Sequence, residues 1–462
     1  MADASRPMRT TPINHEPSTI AAQEVAMLKC TLIATFIGLL LPATYAQAPA
    51  ALHDLAKLRD AATLDAKISR DAVTPSLACK GKKMRSVTLN FHSITWQGEE
   101  WRHDAVIYFP EPMPEKNAGL AAIVHTSSLN LDLGFSVKRD YGEAVAVDLG
   151  IPVVVIDNLP GYRQKQPNER ELLNLSIRKC VETQDLTWFL AHPMAEVYVR
   201  AITLLESIQK RPVEKVIAAG MADRAVALWH LAAIEPKVKG ILSASFDTGT
   251  VETFFAAAGV TQKPSDKFLA CYEPLRIARP DLATQIVVGT SDAAYPSLAV
   301  NSFYEKLPGD KNLSFAENAK HGYGTARHLA CFRTFIDHVF FGRTYPKMTG
   351  TVAADERRAK YKFSIETQTK VLSCSVVYAH KVEPPPPADW PASPKARQDF
   401  EKAKHALRWK PWPMNLTPDG QSYRAEVDFS ETGKLYYYYE VEDTCHGLTG
   451  YTASPIRQIT KP

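Results

Sequence analysis

Three features are missing from this 462-residue sequence, and each absence excludes a class of protein. Beyond residue 50, no apolar stretch is long enough to cross a bilayer, which takes about 20 residues. The seven cysteines include no C-x-x-C pair and form no cluster with histidine in the sequence, so neither zinc nor any other metal or cofactor is predicted. The net charge of +4 is spread along the chain without a basic cluster, which excludes nucleic acid as an expected partner.

The first 48 residues are expected to be an N-terminal extension and a secretory signal peptide. Met27 and Lys29 precede an apolar run over residues 31–48, in which Ala46 and Ala48 fit an A-x-A cleavage site. A membrane anchor is the alternative, but the run is shorter than the roughly 20 residues of a bilayer span. Because 26 residues, many of them polar, precede Met27 and its apolar run, we expect translation to start at Met27. The mature chain is therefore predicted to be secreted or periplasmic, with no membrane span after cleavage.

Export makes disulfides plausible for the six cysteines that follow the signal. An even set of six allows three bridges, whose pairing the sequence does not fix. Cys374 and Cys445 fall on separate predicted strands of the C-terminal region, and we expect them as one bridged pair.

Residues 49–345 have the pattern of an α/β domain. Short apolar runs rich in β-branched residues are typical of strands that are buried on both faces of a parallel sheet. Such runs occupy residues 120–127, 151–159, 214–220, 238–245 and 285–291. Helical patterns alternate with them at residues 139–150, 169–184, 194–210, 223–234, 297–307 and 325–342. This alternation predicts a doubly wound, mostly parallel sheet. Two alternating strands joined by the turn "WQGEEW" precede it as a hairpin.

Residues 346–462 predict a small β-sandwich-like (Ig-like) domain. Polar and apolar residues alternate over 360–382 and 422–443, and the proline-rich segment 383–394 connects the two. Alternation through Tyr436–Tyr439 predicts two buried and two exposed rings. An exposed tyrosine pair near Trp409 and Trp412 would offer a surface for carbohydrate or for a protein partner.

The most informative segment, residues 215–236, predicts a strand, a sharp turn and a helix. This is the context of a nucleophile elbow, and the residue at its apex is Ala222. Small neighbours are needed in so tight a turn, and Gly220 and Ala225 supply them. Asp292 after a later strand and His321 in a later loop complete the chain order of nucleophile, acid and histidine. An alternative frame places Asp223 at the apex, where a carboxylate could form an ester intermediate.

Other polar residues are candidates for the rest of the cleft. Ser127 and Ser128 lie at the end of a predicted strand, at the place where α/β-hydrolases carry the oxyanion loop, so they line the pocket or replace the missing nucleophile. Asp223 is a further pocket candidate. Tyr162 and Arg163 lie in a loop after a central strand, where ligands bind in open α/β sheets, although a solvated turn explains the same residues.

The flanks of this segment resemble the PhoPQ-activated pathogenicity-related family over residues 85–345. The matching residues are Trp188, Pro193, Met194 and Arg200, then Gly220, Arg224 and Trp229 around the elbow, and then Asp292, Tyr304, Leu307, Gly309, Lys311, Asn318 and His321. The resemblance implies a secreted α/β-hydrolase with a C-terminal β domain. The family elbow reads G-x-S-K-R-G, whereas its serine, lysine and glycine are Ala222, Asp223 and Ala225 in this chain.

The sequence therefore predicts an exported pseudo-hydrolase. The cleft at the predicted elbow would bind a small molecule or peptide, or the C-terminal domain would bind a protein or carbohydrate. The alternative is an active ester or amide hydrolase that uses a displaced nucleophile or a water molecule activated by His321 and Asp292.

Overall fold

The computed structural model describes residues 49–126, 136–157, 169–246, 250–292, 295, 297–380, 408–431 and 433–462. The predicted signal segment, Ser127, Ser128, Tyr162 and Arg163 lie outside these residues. Among the helices of the described part, none combines the length and hydrophobicity of a membrane span.

Nine strands form the main sheet. They are β1 (Lys67–Pro75), β2 (Lys83–Trp96), β3 (Glu99–Glu111), β4 (Leu120–His125), β5 (Val153–Ile156), β6 (Lys215–Met221), β7 (Val238–Ala244), β8 (Ala283–Gly289) and β9 (Lys311–Ala316). Their order across the sheet is β1-β2-β3-β5-β4-β6-β7-β8-β9. Strands β4 to β9 run parallel to one another, whereas β1, β2 and β3 pair antiparallel at one side of the sheet, where β3 joins β5. The predicted mostly parallel, α/β-hydrolase-like sheet is confirmed.

The first hairpin forms where the sequence predicts it. Trp96 pairs with Glu99, and the two residues between them, Gln97 and Gly98, have φ angles of 51° and 86°. Positive φ at both central positions is the geometry of a tight hairpin turn that matches the twist of its strands.

Helices cover both faces of the sheet. They are α1 (Leu55–Leu58), α2 (Ala144–Leu149), α3 (Glu169–Thr183), α4 (Ala191–Gln209), α5 (Leu228–Ile234), α6 (Val251–Ala257), α7 (Asp266–Tyr272), α8 (Pro274–Ile277) and α9 (Ala326–Phe341). One predicted helix is wrong: residues 297–307 form two short 3-10 turns, Ser297–Ser302 and Tyr304–Lys306. Separate apolar clusters lie on the two faces, one built on α4 and α5 and the other on α2 and α9.

The C-terminal part consists of two antiparallel sheets. Their strands are β10 (Lys347–Ala354), β11 (Arg358–Glu366), β12 (Lys370–Ala379), β13 (Lys410–Pro413), β14 (Asn415–Leu416), β15 (Tyr423–Asp428), β16 (Lys434–Cys445), β17 (Leu448–Ala453) and β18 (Arg457–Thr460). The first sheet has the order β10-β11-β15-β14, and the second has the order β13-β12-β16-β17 with β18 also paired to β16. Strands adjacent in sequence, such as β11 and β12, thus belong to different sheets. A shared apolar core, with the Tyr361 and Tyr437 rings 4.8 Å apart, joins the sheets.

Two expectations for this part are wrong. Tyr437, Tyr438 and Tyr439 are all buried, because β16 packs on the other C-terminal sheet with one face and on the main domain with the other, where the tilted Phe315 and Tyr438 rings lie 4.6 Å apart. No exposed tyrosine pair results.

The expected Cys374–Cys445 bridge is also absent, and all six described cysteines are free thiols. Cys374 lies opposite Val441, four residues before Cys445 on β16. At about 3.4 Å per strand residue this separation is far beyond the roughly 7 Å that a disulfide allows between Cα atoms.

Candidate active site

The elbow has the backbone conformation that its sequence predicts. Strand β6 ends at Met221, and the chain turns directly into a 3-10 segment over Ala222–Ala227 before α5. Ala222 has a φ angle of 54°, in the left-handed region that residues other than glycine seldom adopt. A Cβ on Gly220 would lie 2.7 Å from the Cα of Ala225, so the turn requires glycine there. Ala222, rather than Asp223, therefore occupies the apex, and its methyl group cannot act as a nucleophile.

Ala222→Gly is expected to stabilise the protein by up to about 1 kcal/mol, because glycine adopts positive φ without the penalty of a Cβ. Chemical denaturation of both proteins would measure the difference. An unchanged or lower free energy of unfolding would mean that the left-handed conformation at residue 222 carries no strain.

Asp292 and His321 meet at the carboxyl ends of the parallel strands. The Nδ1 atom of His321 donates to Asp292 Oδ2 at 3.0 Å, and the backbone N–H of Tyr295 donates to the other carboxylate oxygen, also at 3.0 Å. Asp292 is fully buried, whereas the His321 side chain is 43% exposed. Burial opposes a charge on the ring, but the hydrogen bond and charge of Asp292 outweigh it and raise the pKa of His321. The arrangement is that of an acid that orients a histidine base.

Asp292→Asn should lower the pKa of His321, which an NMR pH titration of the histidine ring protons would measure. In the natural chain the folded-state pKa lies above the unfolded value of about 6.5. The stabilising contribution of the charged ring is thus fully present below that value and lost as the pH rises through the folded-state pKa. The stability difference between the two proteins should accordingly shrink as the pH rises. An unchanged pKa in Asp292→Asn would contradict this coupling.

Asp223 is held by two side chains that sequence reasoning missed. Arg170 Nη2 lies 2.6 Å from Asp223 Oδ1, and the Tyr295 hydroxyl donates to the same oxygen. The guanidinium also contacts that hydroxyl and lies over the Tyr295 ring, 4.8 Å from its centre. Burial would raise the pKa of Asp223, but the charge of Arg170 and these hydrogen bonds outweigh it and hold the pKa below its usual range. An ion-paired carboxylate of this kind is poorly placed to attack a substrate.

The loop that carries His321 is fixed from two directions. Ser245, directly after β7, has a φ angle of 54°, and its hydroxyl donates to the carbonyl of Gly322. The Tyr323 hydroxyl lies 2.9 Å from Thr126 Oγ1, and the Tyr323 carbonyl accepts from the Tyr141 hydroxyl at 2.8 Å. Thr126 directly follows β4 and precedes Ser127 and Ser128. The described part of the chain thus ties the histidine loop to the start of the predicted oxyanion loop.

The sequence contained a weak signal for only some of these partners. Arg170 opens a helical pattern and Tyr295 follows Asp292 by three residues, but nothing in their spacing pairs them with Asp223. Their segments meet only because the sheet brings the carboxyl ends of its parallel strands to one edge.

The family model described as PhoPQ-activated pathogenicity-related protein matches residues 76–258 and 259–384. Among solved structures, the chain is similar to an acetyl xylan esterase from Paenibacillus sp. R4, with 13% identity and a TM-score of 0.43 over 65% of this chain and 94% of that one. It is also similar to acetyl xylan esterase 1 from a Thermoanaerobacterium species, with 16% identity and a TM-score of 0.36 over 58% of this chain and 88% of that one. No curated protein matches. Since the family model covers more than half of the sequence, this chain belongs to the PhoPQ-activated pathogenicity-related protein family.

Proposed function

We propose that this protein is an exported pseudo-hydrolase, which binds a ligand in the cleft at the elbow and does not cleave it. The observation that carries the proposal is the methyl group of Ala222 at the apex of an otherwise well-formed elbow. An acyl-enzyme needs a nucleophilic atom at this point.

The rest of the site supports binding of a carbonyl or carboxylate oxygen. In this fold the backbone N–H that follows the apex residue helps to form the oxyanion hole, and here it belongs to Asp223. His321 adds a half-exposed ring whose raised pKa favours its proton-donating form. An ester or a short carboxylic acid is therefore the ligand class that the cleft would accept.

The Arg170–Asp223–Tyr295 group supports the same proposal. Its ion pair and aromatic contact fix the residue next to Ala222, where the family has lysine. A fixed, satisfied cluster stabilises one shape of the cleft without presenting a free nucleophile.

A second candidate function is supported by the intact hydrogen bond between Asp292 and His321. In that case the pair activates water, or a serine elsewhere replaces Ala222. Ser245 is a described serine beside the His321 loop, since its hydroxyl bonds to the neighbouring Gly322. A histidine and acid without their nucleophile retain only a small part of a triad's rate enhancement.

The purified natural chain, His321→Ala and Ser245→Ala would separate these functions. We expect no fluorophosphonate labelling and no aryl-ester hydrolysis above the level of His321→Ala, together with butyrate binding that shifts the His321 NMR signals. Labelling that Ser245→Ala abolishes would instead establish a displaced nucleophile. Ester turnover that depends on His321, in a protein that the fluorophosphonate does not label, would establish activated water. Either result would overturn the pseudo-hydrolase proposal. His92→Ala, a half-buried histidine on β2, serves as the matched control.

A further inference from the structure

Three histidines that lie far apart in the sequence meet away from the elbow turn. They are His53 near the start of the described chain, His192 in the first turn of α4, and His230 in α5. One nitrogen from each ring lies within 4.8 Å of the others. His192 and His230 are buried, and the side chain of His53 is also fully covered. Neither the elbow nor the Asp292–His321 pair uses this histidine cluster.

Hydrogen bonds at the far side of two rings decide which nitrogens face inward. His230 Nδ1 lies 2.9 Å from the carbonyl of Cys271, which can only accept, so this nitrogen carries the proton. His53 Nδ1 lies 2.8 Å from Glu196 Oε1 and donates to that carboxylate. In the neutral rings, both Nε2 atoms therefore present lone pairs, and these two atoms face each other at 2.8 Å. Two lone pairs at this distance repel unless a cation lies between them.

We propose that this histidine cluster is a zinc site, in which His53, His192 and His230 are the ligands and Glu196 orients His53. Imidazole nitrogen is a ligand that Zn²⁺ prefers. A histidine that binds a metal typically donates its other N–H to a carboxylate or a backbone carbonyl, and His53 and His230 already have one such partner each. Zn–N bonds of about 2.0–2.1 Å place tetrahedral ligand nitrogens about 3.3 Å apart, so the two rings need to separate by only a few tenths of an ångström.

The third ring is suited to the same role. His192 Nδ1 is buried and has no hydrogen-bond partner in the structure, although a buried polar nitrogen is costly to leave unsatisfied. Its Nε2 lies 3.5 Å from Glu196 Oε1, one helical turn further along α4.

Glu196 lies between the histidine cluster and a cavity. This residue also lines a cavity of about 170 Å³, which therefore lies one side chain away from His53. Bound zinc would fasten the segment that contains His53 onto α4 and α5. Since α5 directly follows the elbow turn, the ion would secure the helix that supports the candidate cleft.

Zinc analysis of the purified full chain tests the proposal. After treatment with EDTA and dialysis against Zn²⁺, we expect one zinc per chain and a higher unfolding temperature. His53→Ala and His230→Ala should lose this zinc ion. Glu196→Gln should bind zinc about 10–100-fold more weakly, because it only weakens the orientation of one ligand. His53 lies in a turn near the start of the described chain, so His53→Ala remains informative if the buried His230→Ala fails to fold. The metal-free variants are compared with the metal-free natural chain to verify the fold.

A matched control tests the other group of potential metal ligands among the described residues, which consists of Asp337, Cys445 and His446, by substituting one of them. His446→Ala should keep the zinc that His53→Ala loses. The proposal is overturned if no zinc binds, if binding survives in His53→Ala, or if it disappears only in His446→Ala. A proton shared between His53 and His230, seen by NMR and insensitive to added Zn²⁺, would also overturn it.

Discussion

Ala222→Ser is expected to give this protein esterase activity. A serine at residue 222 would occupy the apex of an elbow whose φ angle and close Gly220–Ala225 packing are already in place. His321 is oriented by Asp292, and in its neutral form it would accept the serine proton. Aryl-ester hydrolysis should rise by about 10³-fold or more over the natural chain, since removal of the serine from a complete triad costs about 10⁶-fold in kcat. The variant should also become labelled by a fluorophosphonate probe.

The double variant Ala222→Ser/His321→Ala is the control for this gain. It should keep the new hydroxyl but lose both labelling and turnover, because serine without a base is a weak nucleophile. Activity that persists in the double variant would show that His321 is not the base. A folded Ala222→Ser protein without activity would show that the cleft does not admit esters, which would also count against ester binding by the natural chain.

Arg343→Met is expected to destabilise the protein by about 3–5 kcal/mol, since it leaves a buried carboxylate without its partner. Arg343 follows α9, and its guanidinium lies 2.6 Å from Asp443 on β16, with both side chains fully buried. It also donates to the carbonyl of Leu448 at 3.1 Å. A Cβ on Gly450 would clash with the guanidinium, so only glycine at this position leaves room for the Arg343 side chain. The ion pair therefore connects the main domain to the second C-terminal sheet.

Denaturation of matched variants measures this effect. Arg358→Met removes an exposed ion pair with Asp428, in which the side chains are 50% and 74% accessible, and should change the free energy of unfolding little because solvent screens the pair. Arg343→Met/Asp443→Leu should recover part of the loss, because no unpaired buried charge remains. Equal, small losses in Arg343→Met and Arg358→Met would contradict the predicted role of the buried pair.

Local patterns in the sequence were enough to predict the frame of the fold. The apolar runs of the parallel strands, the Gln97–Gly98 turn and the small residues around Ala222 each depend on neighbours in the chain. The predicted helix over residues 297–307 failed because its residues form two short turns. The predicted tyrosine exposure failed because alternation assumes one solvated face, whereas β16 is covered on both.

The sequence by itself determined the alternating α/β order, the position of the elbow and the absence of a nucleophile at Ala222, since all three follow from contiguous residues. The tertiary structure alone decided which distant side chains meet. It paired Asp223 with Arg170 and Tyr295, gathered His53, His192 and His230, and separated β11 from β12 into two sheets. These contacts arise from strand order and helix packing, which join residues from tens to more than a hundred positions apart and leave no periodicity or spacing in the sequence.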